Sequence, residues 1–315
     1  VRETELRPLG AGELLDRAVT LLVRFFPQIV GAVAIMVVPV AILRALLQPH
    51  AADAYADVVR VLGSAGNPAS QRAALEALQA HGASGQAVAL LLIVSIAISL
   101  LGFNAVTAIV AAASRGTPIG IAPAYALALR RWPRQLLVSL AFLVIAIGVF
   151  IVVLVVYFVL ILFVVGVAAA AKGIPAIPIV VGSIVGLAFL ALLLAVVCSF
   201  SIAYTLASVA IVTEDLDVGA AISAGLRRAF GRRTAVRSLL AGLVMNAVLF
   251  LGSLPFAAVA GTLAVLAHAP VLAEGVNAVG QIGIDALLGT FAVVFSADVR
   301  VRREGLDLFA ETASA

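Results

Sequence analysis

Residues 136–171 and 179–212 form two runs of 36 and 34 residues without one charged side chain. As helices rising 1.5 Å per residue, each would reach about 50 Å, well beyond a ~30 Å hydrocarbon core. Neither holds two passes and a turn, which together take more than ~40 residues. Each is therefore predicted to be one long helix that tilts, projects or breaks near its end. The segment Gly-Ile-Pro-Ala-Ile-Pro at 173–178 reads as the turn between them. Segments 136–165 and 179–203 of these runs, with 29–47, 87–113, 239–267 and 276–297, make six apolar stretches long enough to span a bilayer. The expected fold is all-α: one polytopic membrane domain over 1–315, with six transmembrane helices arranged as three hairpins.

Composition agrees. The chain is 64% hydrophobic and 11% charged, with mean hydropathy +1.22, where a globular domain is roughly 45–50% apolar and about 25% charged. That balance excludes a soluble enzyme, a free nucleic-acid-binding domain, a secreted disulfide scaffold and a disordered chain. Of the 20 basic residues only Lys172 is lysine. In an Ala/Val/Leu-rich chain this points to a GC-rich bacterial coding sequence, hence to the bacterial cell (inner) membrane.

The net charge of +4 becomes informative once it is divided among the connections. The arm 1–28 carries Arg2, Arg7, Arg17 and Arg24. The second connection carries Arg115, Arg130, Arg131 and Arg134, and the fourth Arg227, Arg228, Arg232, Arg233 and Arg237. The tail 298–315 adds Arg300, Arg302 and Arg303, for 16 on one side. The alternate connections hold Arg60, Arg72 and Lys172 only, and Arg44 is placed to snorkel from the end of the first span. Cytoplasmic loops are the basic ones, so both termini are expected in the cytoplasm. A cleaved signal peptide is disfavoured by Glu3, Glu5, Glu13 and Asp16 ahead of the first apolar run.

A pattern recurs before the first, third and fifth spans. Residues 12–26, 122–132 and 218–230 each read as an amphipathic helix ending in arginine beside an aromatic residue: Arg24-Phe25-Phe26, Arg130-Arg131-Trp132, and Arg227-Arg228-Ala229-Phe230. In the first, Leu14, Ala18, Leu21, Leu22 and Phe25 recur at helical spacing. The expected unit is an interfacial cytoplasmic helix, a short bend and a two-span hairpin, used three times. Asp217 and Gly231 suit the N-cap and the C-terminal stop of the third. The extracytoplasmic loop 48–86 is expected to form a small helical cap.

Motifs for chemistry are sparse. His50, His81 and His268 form no close-spaced ligand set, so no metal site is expected. Cys198 stands alone in an apolar run and reads as a small buried hydrophobe. No phosphate loop or serine elbow is present, and no cofactor is expected. Ser95 with Ser99, and Gly182 with Gly186, have the spacing of close helix packing. Glu214, Asp215 and Asp217 are expected to favour the next helix N-terminus and to pair with tail arginines. The exception is Asp285, an acid inside the sixth span with Gln281 one turn before it, at a cost of about 2.5–3.5 kcal/mol on insertion scales. Asn104 and Asn246 are its candidate polar neighbours. Two readings are open: a proton- or cation-coupled site, or an acid that ties helices together.

Both ends of the chain resemble one family. Leu6 to Ala18, LRPLGAGELLDRA, looks like the opening "RPLxxGElLDrA" of the glycerophosphoryl diester phosphodiesterase membrane-domain family. Asp298 to Leu308, DVRVRREGLDL, looks like its closing "DxRxRREGxDL", and Ile211 to Asp215 is similar to its middle. Phe295-Ser296-Ala297 stands where the family carries an aromatic, often Tyr, just before the Asp. The resemblance implies a membrane domain without the catalytic barrel of fused relatives. Their His-Arg-Gly signature is missing, since the pairs here are His50-Ala51, His81-Gly82 and His268-Ala269.

The expected function is therefore non-enzymatic: a scaffold, or a component binding lipid or a partner through its basic cytoplasmic face. The candidate docking residues are Asp298, Arg300, Arg302, Arg303 and Glu304, with Arg227, Arg228, Arg130 and Arg131. Anionic lipid headgroups and a membrane or cytoplasmic protein are the expected partners; nucleic acid is not. A transporter or channel using Asp285 is the alternative. An intramembrane phosphodiesterase, or an accessory of glycerophosphodiester metabolism, is weaker.

Overall fold

The computed structural model describes residues 10–47, 85–170, 176–232, 234–266 and 269–304. Eight α-helices occur among them and no strand: α1 (Ala11–Arg24), α2 (Phe26–Leu47), α3 (Gly85–Ser114), α4 (Ile121–Ala170), α5 (Ala176–Glu214), α6 (Val218–Phe230), α7 (Ala235–Leu266) and α8 (Pro270–Glu304). Six of these, all but α1 and α6, are long and apolar enough to cross a membrane. Loop 48–86 lies outside the described residues, apart from Gly85 and Gln86, which open α3. So do His50, His81 and His268.

Local chemistry sets the boundaries. Glu13 reaches back to accept the backbone N–H of Gly10 at 2.7 Å, which holds the start of α1. At Phe25 the backbone leaves helical geometry (φ −114°, ψ 28°), separating α1 from α2. Asp217 accepts the Ala220 N–H at 2.8 Å and caps α6, which Gly231 follows. Between 132 and 136 the expected bend does not occur, and α4 runs through Pro133 as one helix of 50 residues. A proline removes one N–H, and two anchors hold α4 immediately ahead of Pro133. Trp132 Nε1 donates to the Ala97 carbonyl at 3.2 Å. Arg131 donates to the Ile211 carbonyl at 3.1 Å and to that of Val212.

The six long helices form a closed ring. Around it α2 packs on α3, α3 on α4, α4 on α5, α5 on α7, α7 on α8, and α8 back on α2. Helices α3, α5 and α8 also meet across the centre. One core cluster joins Ile29, Val33 and Met36 of α2 to Val106 and Ile109 of α3, Ala128 of α4 and Val293 of α8. The second joins Leu14 and Ala18 of α1 to Ile211 of α5, Ala221 of α6 and Val299 of α8. Gly10 and Glu304 thereby lie at one end of the bundle, here the basic end; the opposite end is the distal end.

This second cluster changes the role of α1. The apolar face read from the sequence packs on the bundle, whereas Leu15, Val19 and Val23 form a second, exposed apolar stripe. Helix α6 packs closely on α5, where a Cβ at Gly225 would lie 2.5 Å from the Ala203 carbonyl oxygen. At the distal end packing thins. Past Phe142, the only buried residue of α4 is Val153, and α5 buries none of its described side chains before Cys198.

Candidate functional site

At the basic end the charges are largely satisfied by one another. Arg228 of α6 binds Glu214 of α5 through both guanidinium nitrogens, at 2.7 and 2.8 Å. The two side chains are only 6% and 15% exposed, so the pair is bidentate and nearly dry. Arg300 of α8 approaches the same carboxylate at 3.6 Å. Asp298, its side chain fully buried, lies between Arg237 of α7 at 3.0 Å and Arg302 at 3.1 Å, one turn on in its own helix. Arg134 and Arg131 of α4 flank Asp215 at 3.0 and 3.5 Å. Asp215 itself has φ 55°, a left-handed conformation that Asp tolerates better than most residues. Through Ile211 and Val212, Arg131 also satisfies carbonyls left open at the C-terminus of α5.

The acid cluster meets its expectation in part: Asp217 caps α6 and Glu214 approaches Arg300 of the closing segment, but Glu214 binds Arg228 more closely and Asp215 pairs with arginines of α4 instead of the tail. The docking strip differs from expectation. Residues 298–304 continue α8 as helix, Asp298 is buried, and Arg300 and Arg302 are ion-paired within the chain. A dense run of charge normally signals a solvated tail. Here α7 and α5 supply the counter-charges, from positions too distant in sequence to show any periodicity. The side chains of Arg303 and Glu304 lie outside the described residues. Arg130 and Arg227 are exposed, and so are Arg24 and Arg232, which the docking set had omitted.

The second region surrounds Asp285. A cavity of about 340 Å³ opens between α2, α3, α7 and α8, lined by Asp285 and Gln281, by Ser95 and Ser99, and by Arg44. Apolar walls come from Met36, Phe103, Met245 and Leu249. Gln281 stands one turn before Asp285 on α8, and both line the cavity. Toward the distal end Arg44 does not snorkel free but pairs with Glu274 at 3.5 Å.

The two asparagines are not the neighbours of Asp285. Asn246 faces α5, donating to Ser201 Oγ at 3.1 Å and to the Gly242 carbonyl at 2.8 Å. Asn104 is fully buried, without a hydrogen-bond partner, and does not line the cavity. Helical arithmetic explains this. Ser95 and Asn104 stand nine residues apart, about 180° around the helix, so they occupy opposite faces of α3. The serines were legible as a small-residue pair, but their hydroxyls beside Asp285 were not. Among the described residues no group of His, Cys, Asp and Glu is arranged to hold a metal ion. No known protein family, characterised protein or solved structure matches this chain.

Proposed function

We propose that this chain is a non-enzymatic multi-pass protein of a bacterial inner membrane that engages anionic lipid headgroups through its basic end. In this reading α2–α3, α4–α5 and α7–α8 are the three hairpins, α1, the first turns of α4, and α6 lie at the cytoplasmic interface, and both termini are cytoplasmic. What supports it is the periphery of that end. Arg24, Arg130, Arg227 and Arg232 are exposed, and no acid pairs with them among the described residues. Exposed apolar Phe26, Leu129, Phe230 and Val236 stand next to them or a few positions away. Arginine alternating with apolar surface is the chemistry of headgroup depth.

Each arginine near an anionic surface contributes ~1 kcal/mol. The fully exchanged variant R24Q/R130Q/R227Q/R232Q is therefore expected to lose its preference for phosphatidylglycerol over phosphatidylcholine by about tenfold or more. Native mass spectrometry of the full chain from mild detergent reads this directly. Equal retention of both lipids by the wild type, or an unchanged preference in the variant, overturns the proposal. A stoichiometric co-purifying protein in place of lipid would reassign the surface to that partner and overturn it as well.

The Asp285 cavity favours a second reading, a transporter or channel. An acid serving only to tie helices would bond across them, and this one faces open space instead.

A further inference from the structure

Asp285 does not join α8 to a neighbour. Gln281 stands one turn back on the same helix, and no hydrogen bond or ion pair links Asp285 to another helix among the described residues. A carboxyl held in a membrane-spanning helix without such a link is costly. It faces a cavity of about 340 Å³, within the ~300–1,000 Å³ range of small-molecule sites.

The lining restricts what fits. Oxygen-bearing Asp285, Gln281, Ser95 and Ser99 share the lining with apolar Met36, Phe103 and Leu249. Arg44 also reaches the cavity, but Glu274 lies 3.5 Å from it, so Asp285 sets the sign of the charge inside. An anion meets an unfavourable carboxylate. A hard cation such as Mg²⁺ or Ca²⁺ needs roughly six or more oxygen ligands, and this lining is mostly apolar. A neutral apolar ligand leaves the carboxylate unmatched. A charged N–H donor joined to an apolar body suits both kinds of lining residue, and Phe103 adds an aromatic ring, whose face attracts cations.

We infer that the Asp285 cavity binds a small organic ammonium ion, its nitrogen on the Asp285 carboxylate and its apolar body against Phe103, Met36 and Leu249. The inference rests on the transport reading for its purpose, but the site stands or falls by binding alone. The probe is radiolabelled 2-phenylethylammonium, measured by equilibrium binding to the full chain in detergent and by uptake into sealed proteoliposomes. Binding is expected to be saturable. Unlabelled 2-phenylethanol, which lacks the charge, and methylammonium, which lacks the apolar body, should each compete poorly. Asp285→Asn should bind about tenfold or more weakly, while Asp285→Glu, which keeps the charge, retains most of the affinity.

Absence of saturable binding overturns the inference, as does competition by 2-phenylethanol equal to that of the ammonium, or wild-type affinity in Asp285→Asn. The competition series uses wild-type protein, so it decides the matter even where the Asn variant fails to fold. Saturable binding without uptake supports the site and removes the transport reading. Uptake of other solutes without any binding of this probe does the reverse.

Discussion

Arg228 and Glu214 show how a chain this apolar tolerates charge in its interior. Their bidentate contact is nearly sealed from water, and the Arg228 carbonyl accepts from Thr234 Oγ1 at 2.6 Å. Removing one partner of such a pair strands the other charge, at a cost of about 3–5 kcal/mol, whereas apolar replacement of both is often close to neutral. Arg228→Met should therefore lower the thermal unfolding midpoint of the detergent-solubilised chain sharply. The double variant Arg228→Met with Glu214→Leu should recover most of the loss. Arg300, 3.6 Å from Glu214, loses that contact in the double variant, but at about one-third exposed it keeps access to water, so the recovery survives. A double variant no better than the single one would show that the pair's worth lies in its packing. The contrast is Arg134 with Asp215, 47% and 65% exposed at 3.0 Å, where loss of either should change stability by about 1 kcal/mol or less. Sequence spacing made Glu214, Asp215 and Asp217 legible as a local cluster. It could not reveal that Asp298 is buried, because Arg237, on another helix, supplies its neutralising charge.

At the scale of elements, apolar run length was the dependable signal and amphipathic pattern the ambiguous one. Residues 136–170 of the first run and all of 179–212 lie within single helices, as their length required. The amphipathic segments diverged. Those at 12–26 and 218–230 fall largely on the separate helices α1 and α6, while the one at 122–132 merges into α4. Only the first and third have a break that stops a helix, at Phe25 and Gly231. Periodicity also does not say what an apolar face touches, protein or lipid, and α1 presents one stripe to the core and another outward. What holds α6 in place is the close approach at Gly225. A Cβ there would meet the backbone oxygen of Ala203 at 2.5 Å and the backbone nitrogen of Ala207 at 2.9 Å, atoms that move only if α5 moves. Gly225→Ala should cost about 1–3 kcal/mol, as overpacking does, and expose α6 to proteolysis. Gly219→Ala on the same helix meets nothing within 4 Å and should be neutral, or stabilising by up to ~1 kcal/mol through helix propensity. Equal proteolytic sensitivity of the two variants would count against this account of α6.

The whole molecule is asymmetric along its helices. The basic end contains the second core cluster, both short helices and the ion pairs described above other than Arg44–Glu274, whereas α4 and α5 stand almost bare toward the distal end. Bare apolar helices are stable in lipid and unstable in water, so the distal parts of α4 and α5 belong within the hydrocarbon layer. From Leu136 to Ala170, α4 extends about 50 Å, more than a ~30 Å core accommodates upright. Tilting, or a distal turn rising above the lipid, must absorb the excess. Either arrangement places the charged end at one surface and Ala170 near the other, and the orientation proposed from the excess of arginine puts the charged end in the cytoplasm. Cysteine labelling tests this on the full chain. Cys198 is buried, and Cys198→Ala removes its residual background. On that background Arg232→Cys, at an exposed position of the basic end, should resist a membrane-impermeant maleimide in intact cells and react in inside-out vesicles. Ala170→Cys, exposed at the distal end of α4, should show the opposite pattern. Labelling of Arg232→Cys from outside intact cells would invert the molecule, and it would place the exposed arginines opposite the anionic cytoplasmic leaflet they are proposed to bind.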